Sequence, residues 1–154
     1  MNNQPITLKG KKKIEEELEH LIKVEREKLK KTIAEARSLG DLKENAEYHS
    51  AKEKQALVEG SIAKLQGVLA NAQIIDTSKI KSDKIVFGAI VSLIDSEGRE
   101  TTCQIVGEYE TAPGKISIKS PLGVALLGKT NGDTVIVNAP KGNIEYEIES
   151  IKYE

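Results

Sequence analysis

Two carboxylates three residues apart, Asp41 and Glu44, lie in the stretch EARSLGDLKENAEYHSAKE (residues 35–53), where a chain turning between helices needs only Gly or Asn. Their spacing admits two kinds of chemistry. Asp41-Leu42-Lys43-Glu44 has the D-x-x-E pattern of a capping box, in which both side chains satisfy free N–H groups at the start of a second helix. The same pair of hard oxygen donors suits magnesium, which takes one or two protein carboxylates and fills its octahedron with water or substrate phosphate. Two carboxylates on a turn make no tight site alone, but they could complete the shell of a site already holding metal and phosphate. The two roles are compatible, because a capping carboxylate keeps lone pairs free. His49 beside the acids raises general-base chemistry, against the plainer reading of a surface histidine.

The elements that must position these groups are written in the surrounding periodicity. Residues 7–72 contain no proline and are dense in Glu, Lys, Leu and Ala. A first helix is predicted from Thr7, a suitable N-cap. Its apolar side runs Ile14, Leu18, Leu21, Ile22, Leu29, Ile33, Ala36, and the eleven-residue steps Leu18 to Leu29 and Ile22 to Ile33 predict a nearly straight helix. The second helix carries Tyr48, Ala51, Gln55, Val58, Ile62, Leu65, Leu69 and Ala72 at alternating spacings of three and four, a coiled-coil seam with Gln55 as its polar member. Gly40 suits the C-terminal cap of the first helix. The short connection makes the pair antiparallel. Its outer faces are Lys and Glu almost throughout, so residues 1–76 are expected to form a free arm on the order of 40 Å long, with the acids at its tip.

After residue 76 the composition shifts to Val, Ile, Thr, Gly and Pro. Residues 77–84 read as a linker and 85–154 as a small globule. Strands are predicted over 89–94 and 101–106, flanking the loop Asp95-Ser96-Glu97-Gly98, then over 115–119, 133–137 and 143–153, with one short helix over 121–127. The class is α+β: a helical hairpin, then a compact antiparallel sheet with one helix.

Composition narrows the function classes. A net charge of −1 over 154 residues gives no global electrostatic footprint for nucleic acid or acidic partners. One Phe, four Tyr and no Trp argue against an aromatic-lined small-molecule pocket. The single cysteine, Cys103, precludes an intramolecular disulfide and fits a reducing cytoplasm, where it reads as a small buried hydrophobe. No secretory signal or membrane span is recognisable, so a soluble cytoplasmic protein is expected.

The segment GDLKENAEYHSAKE (residues 40–53) closely resembles the tip of the bacterial Gre transcript cleavage factors, with the GreA type the better match. The likeness continues through PITLKG at the start, IAEARSLG before the tip, NAQIID, VFGAIV and SPLGVALLGKTNGD. The resemblance implies a transcription elongation factor. Its coiled coil would enter the secondary channel of RNA polymerase and stimulate magnesium-dependent cleavage of backtracked nascent RNA. It implies that Asp41 and Glu44 act in trans as tip acids, sharing a magnesium ion with the polymerase, which remains the enzyme. No cofactor is expected to be tightly bound in isolation.

Arg37 and Lys52 match the family's basic contacts to the 3′ end of the RNA, against a reading as solvated arm charges. Gly40, Asn45 and Tyr48 are expected to support the tip, and Tyr48 more as seam packing than as a base-stacking ring. The second half resembles a domain folded like the FK506-binding prolyl isomerases, which docks at the channel rim. Ser120, Pro121 and Leu122 match its Ser-Pro loop, against a reading as an ordinary turn. Gly123-Val124-Ala125 departs from relatives that place an arginine there. A monomer is expected. The alternative within the same fold is a channel-binding inhibitor that does not promote cleavage. A prolyl isomerase is disfavoured by the scarcity of aromatic residues, and a coiled-coil adaptor by the charged exterior.

Overall fold

The computed structural model describes residues 4–154. Strand β1 (Gln4–Thr7) leads into helix α1 (Leu8–His20), a π-helical turn (Leu21–Glu25) and helix α2 (Arg26–Ser38). Helix α3 (Ala46–Ala70) returns to strand β2 (Ala72–Ile75). Strands β3 (Ile90–Asp95), β4 (Glu100–Val106), β5 (Lys115–Ser117), β6 (Thr134–Ala139) and β7 (Gly142–Lys152) follow, with helix α4 (Pro121–Leu126) between β5 and β6. Among the described residues, no helix is long and apolar enough to cross a membrane.

The chain divides into two compact units: Lys11–Asn71, and a globule made of the residues up to Gly10 together with Ala72–Glu154. The expected division at residue 76, with a linker over 77–84, differs from this. Strand β1 pairs in parallel with β2, Gln4 facing Ala72 and Thr7 facing Ile75, so both ends of the predicted arm belong to the globule. The first residue of the predicted linker is docked. Thr77 is buried in a short 3-10 turn capped by Asp76, and its hydroxyl donates to the Glu154 carbonyl.

In the helical unit the seam positions are the ones withdrawn from solvent. Ile14, Leu29 and Ala36 on one side and Ala51 and Ile62 on the other are buried. Leu57, off the seam, is 72% exposed, as the seven-residue pattern requires. The Arg26 guanidinium grips the Glu59 carboxylate through two parallel bonds, Nε–Oε2 at 2.9 Å and a terminal nitrogen to Oε1 at 2.8 Å. Those bonds raise the already high pKa of Arg26, and the fork geometry fixes the register of the two antiparallel helices. The first helix differs from the uniform one predicted: the Arg26 amide reaches back five residues to the Leu21 carbonyl. Ile14-Leu18-Leu21 and Ile22-Leu29-Ile33-Ala36 are two heptad runs out of phase by one residue. The π turn absorbs that residue, so both runs face the same seam.

The five-stranded sheet has the order β5-β4-β3-β7-β6. All neighbours are antiparallel except β4 and β5, a parallel pair within a sheet predicted to be antiparallel throughout. The connection over a 3-10 turn at Glu108–Glu110 brings β5 back in the direction of β4. The predicted β3–β4 hairpin is present, and Asp95 closes it by accepting from the amides of Glu97 and Arg99, both at 2.9 Å. Ile85, Ala89, Val91, Leu93, Cys103, Ile105, Leu126, Val135 and Ile148 form the core. Burial there pushes the Cys103 thiol up in pKa, away from the reactive thiolate.

At the entry to α1, Thr7 acts as the cap predicted from sequence: its hydroxyl accepts from the Gly10 amide at 3.0 Å. Glu110 ties this corner together. Its carboxylate accepts from the Thr7 amide at 3.0 Å, the Gly107 amide at 2.9 Å and the Thr7 hydroxyl.

Candidate functional site

The turn between the helices is longer than its glycine suggested. Helix α2 ends at Ser38, Gly40 follows with a φ of +139° that favours glycine, and α3 begins only at Ala46. The capping box predicted over Asp41 and Glu44 does not form, because α3 starts beyond it. Asn45 is the N-cap instead: its Oδ1 accepts from the Tyr48 amide at 3.0 Å. The Asn45 Nδ2 also donates to the Ala36 carbonyl in the last turn of α2, which accepts from the Leu39 amide at 3.2 Å as well. A single side chain therefore closes both helices. Asn45→Ala is expected to cost about 1–2 kcal/mol, read as a lower melting temperature and faster amide exchange at Tyr48. Asn45→Asp, which keeps the cap and loses the donor, should lose less.

Held between those ends, residues 39–45 carry the acids outward. Asp41 Oδ1 accepts from the Lys43 amide at 3.0 Å, an Asx turn that competes with helix and keeps this segment irregular. That bond leaves the second oxygen of Asp41 free. Glu44 is exposed and has no hydrogen bond or ion pair among the described residues. The structure brings Gly40, Asp41, Glu44 and Asn45 to one shallow concavity, with Leu39, Ala46 and Glu47 completing its lining.

Glu47 was not singled out from sequence. In the first turn of α3 it adds a third negative charge where the helix dipole favours one. The signal for it was the Asn45-Ala46-Glu47 run, readable only once Asn45 is known to be the cap. Tyr48 is half-buried on the seam, as its register predicted, and its ring meets that of His49 edge-on at 5.6 Å. The His49 Nε2 lies 3.3 Å from the Lys43 carbonyl. Lys52 donates to Gln55 at 3.1 Å and Arg37 is exposed in the last turn of α2; neither is bonded to the acids.

The donor chemistry of the tip fits a share in a magnesium site and not a whole one. The side chains of Asp41, Glu44 and Glu47 offer carboxylate oxygens, right for a hard cation. Among the described residues, no group of three or more His, Cys, Asp or Glu is arranged to hold a metal ion.

Ser120, Pro121 and Leu122 lie in the globule and open helix α4. The Ser120 hydroxyl accepts from the Gly123 amide at 3.0 Å and donates to the Ser117 carbonyl at 2.6 Å, while Pro121 takes the first helical position. Leu122 packs against the core, so it presents less surface than its place in the Ser-Pro loop suggested. Gly123 has no room for a side chain: a Cβ there would sit 2.3 Å from the Ser117 carbonyl oxygen. Within Gly123-Val124-Ala125 the outward position is Val124, 60% exposed.

Residues 4–74 match the family model described as transcription elongation factor, N-terminal. Residues 80–153 match the model described as transcription elongation factor, GreA/GreB, C-term. The chain is 49% identical over 157 residues to transcription elongation factor GreA of Alkalilimnicola ehrlichii, covering 99% of each chain. It is 52% identical over 153 residues to the GreA of Rickettsia canadensis, covering 97% of this chain and 94% of the relative. Among solved structures, GreA factor homolog 1 of Thermus thermophilus is 28% identical with a TM-score of 0.44, covering 96% of this chain and 97% of that one.

Proposed function

Because this chain belongs to the GreA/GreB family of transcription elongation factors, we propose that it restarts arrested bacterial RNA polymerase by stimulating the polymerase's own hydrolysis of backtracked RNA. The observation that carries this reading is the exposed, incompletely used pair of carboxylates on the turn of the hairpin. Asp41 and Glu44 would hold a magnesium ion jointly with the polymerase active site. In such a site a second divalent ion supplies Lewis-acid stabilisation of the phosphodiester and acidifies the attacking water. The factor contributes charge and position; the polymerase remains the enzyme.

The other residues serve placement. Asn45 and the Asx turn at Asp41 keep the acids at a fixed spacing before they meet their partner, which lowers the ordering cost on binding. Arg37 and Lys52 attract the phosphates near the RNA 3′ end. The N-terminus of α4, through Pro121 and the exposed Val124, is the surface assigned to the channel rim. The protein works as a cytoplasmic monomer with no cofactor of its own.

The test is a backtracked bacterial polymerase complex with end-labelled RNA and magnesium. Adding the protein is expected to speed release of the 3′ fragment by roughly tenfold or more. Slowed elongation without cleavage would instead establish the channel-binding inhibitor.

A further inference from the structure

We propose that His49 is a positioning residue for the tip acids, holding the loop through the backbone carbonyl of Lys43, the residue before Glu44. The proposal rests on the cleavage function above for its consequence, though not for its geometry. A carbonyl oxygen can only accept, so the 3.3 Å contact from the His49 Nε2 requires the proton on that nitrogen. Nδ1 is then the unprotonated nitrogen of the neutral ring, which sets the tautomer.

The Lys43 residue is thus held at both ends of its backbone. Its amide donates to Asp41 Oδ1 at 3.0 Å, and its carbonyl accepts from His49, which projects from the first turn of α3. The Lys43 carbonyl belongs to the peptide that leads directly into Glu44. Fixing that peptide plane restricts the backbone from which the Glu44 side chain departs, which unlike that of Asp41 makes no bond among the described residues. The Tyr48 ring, edge-on to His49 at 5.6 Å, limits where the imidazole can turn. In this arrangement the histidine moves no proton in the reaction. It sets the direction from which Glu44 approaches its metal.

Three forms of the full chain separate this role from general-base chemistry and from bulk stability. Gln in place of the histidine carries an amide N–H donor and no basic nitrogen, whereas Phe keeps the ring and removes the donor. His49→Phe is expected to lower the maximal cleavage rate at saturating factor roughly fivefold, the scale of one lost hydrogen bond. The hairpin should stay folded, and its half-saturating concentration should stay unchanged. His49→Gln should restore most of the rate. In the isolated protein, nitrogen NMR should find the Nε2–H tautomer, and exchange of the Lys43 amide, which Asp41 Oδ1 holds at 3.0 Å, should quicken in His49→Phe but not in His49→Gln. A Nδ1–H tautomer, or equal exchange in all three forms, would overturn the proposal even if no cleavage were seen with wild type. Equal cleavage by wild type and His49→Phe would overturn it while leaving the cleavage function standing.

Discussion

Replacing Asp41 with Asn and Glu44 with Gln together is expected to reduce stimulated RNA hydrolysis by about a hundredfold or more while the hairpin stays folded. The swaps keep shape. An asparagine in place of Asp41 would retain an oxygen for the Lys43 amide, which Asp41 holds at 3.0 Å, and Glu44 makes no bond among the described residues that Gln would lose. Neither residue caps α3, whose first turn depends on Asn45, so circular dichroism should be unchanged. What disappears is charge, and a divalent ion is bound by charge as much as by lone pairs. Each single variant should raise the magnesium concentration needed for half-maximal cleavage, since each leaves one carboxylate in the shared shell. A double variant that cleaves like wild type would show that the carboxylates serve only the turn.

A large loss of stability is expected at Gly107. It is buried, and an added Cβ would lie 2.5 Å from the Pro5 carbonyl oxygen and 2.9 Å from Glu110 Oε2. The first neighbour is backbone of β1 and cannot rotate away; the second is the carboxylate that binds Thr7 and Gly107. Gly107→Ala should therefore cost about 2–4 kcal/mol and loosen β1 from β2. Gly60, inside α3 with nothing near its Cβ position, supplies the contrast. Gly60→Ala removes backbone freedom from the unfolded chain at no steric cost, and should stabilise by about 0.5–1 kcal/mol. Thermal melting of the two variants should move in opposite directions.

Local grammar was legible and distant pairing was not. The seam from Tyr48 to Leu69, the Asp95 hairpin and the Pro121 helix were readable because each depends on residues within one or two turns of one another. The β1–β2 pair escaped because four-residue strands with no alternation must find each other across the whole hairpin. At the tip, Asp41 with Glu44 read as the cap of the second helix. Asn45 caps it instead, and its amide also reaches the end of α2, a contact no linear spacing reveals. The same holds for His49, whose bond to Lys43 exists only once the loop has taken its irregular path. The position of the acids was thus readable, and the means of holding them was not.

The π turn at Leu21–Glu25 has a consequence for how the hairpin tolerates change in length. It stores a single residue of slack between two stretches that are each in step with α3. Deleting one residue there would restore an ordinary helix without rotating either stretch off the seam. An insertion or deletion elsewhere would turn everything beyond it by about 100°. In a lineage that gains and loses single codons, this is the point where a residue can be lost while the direction the hairpin's acids face is inherited unchanged.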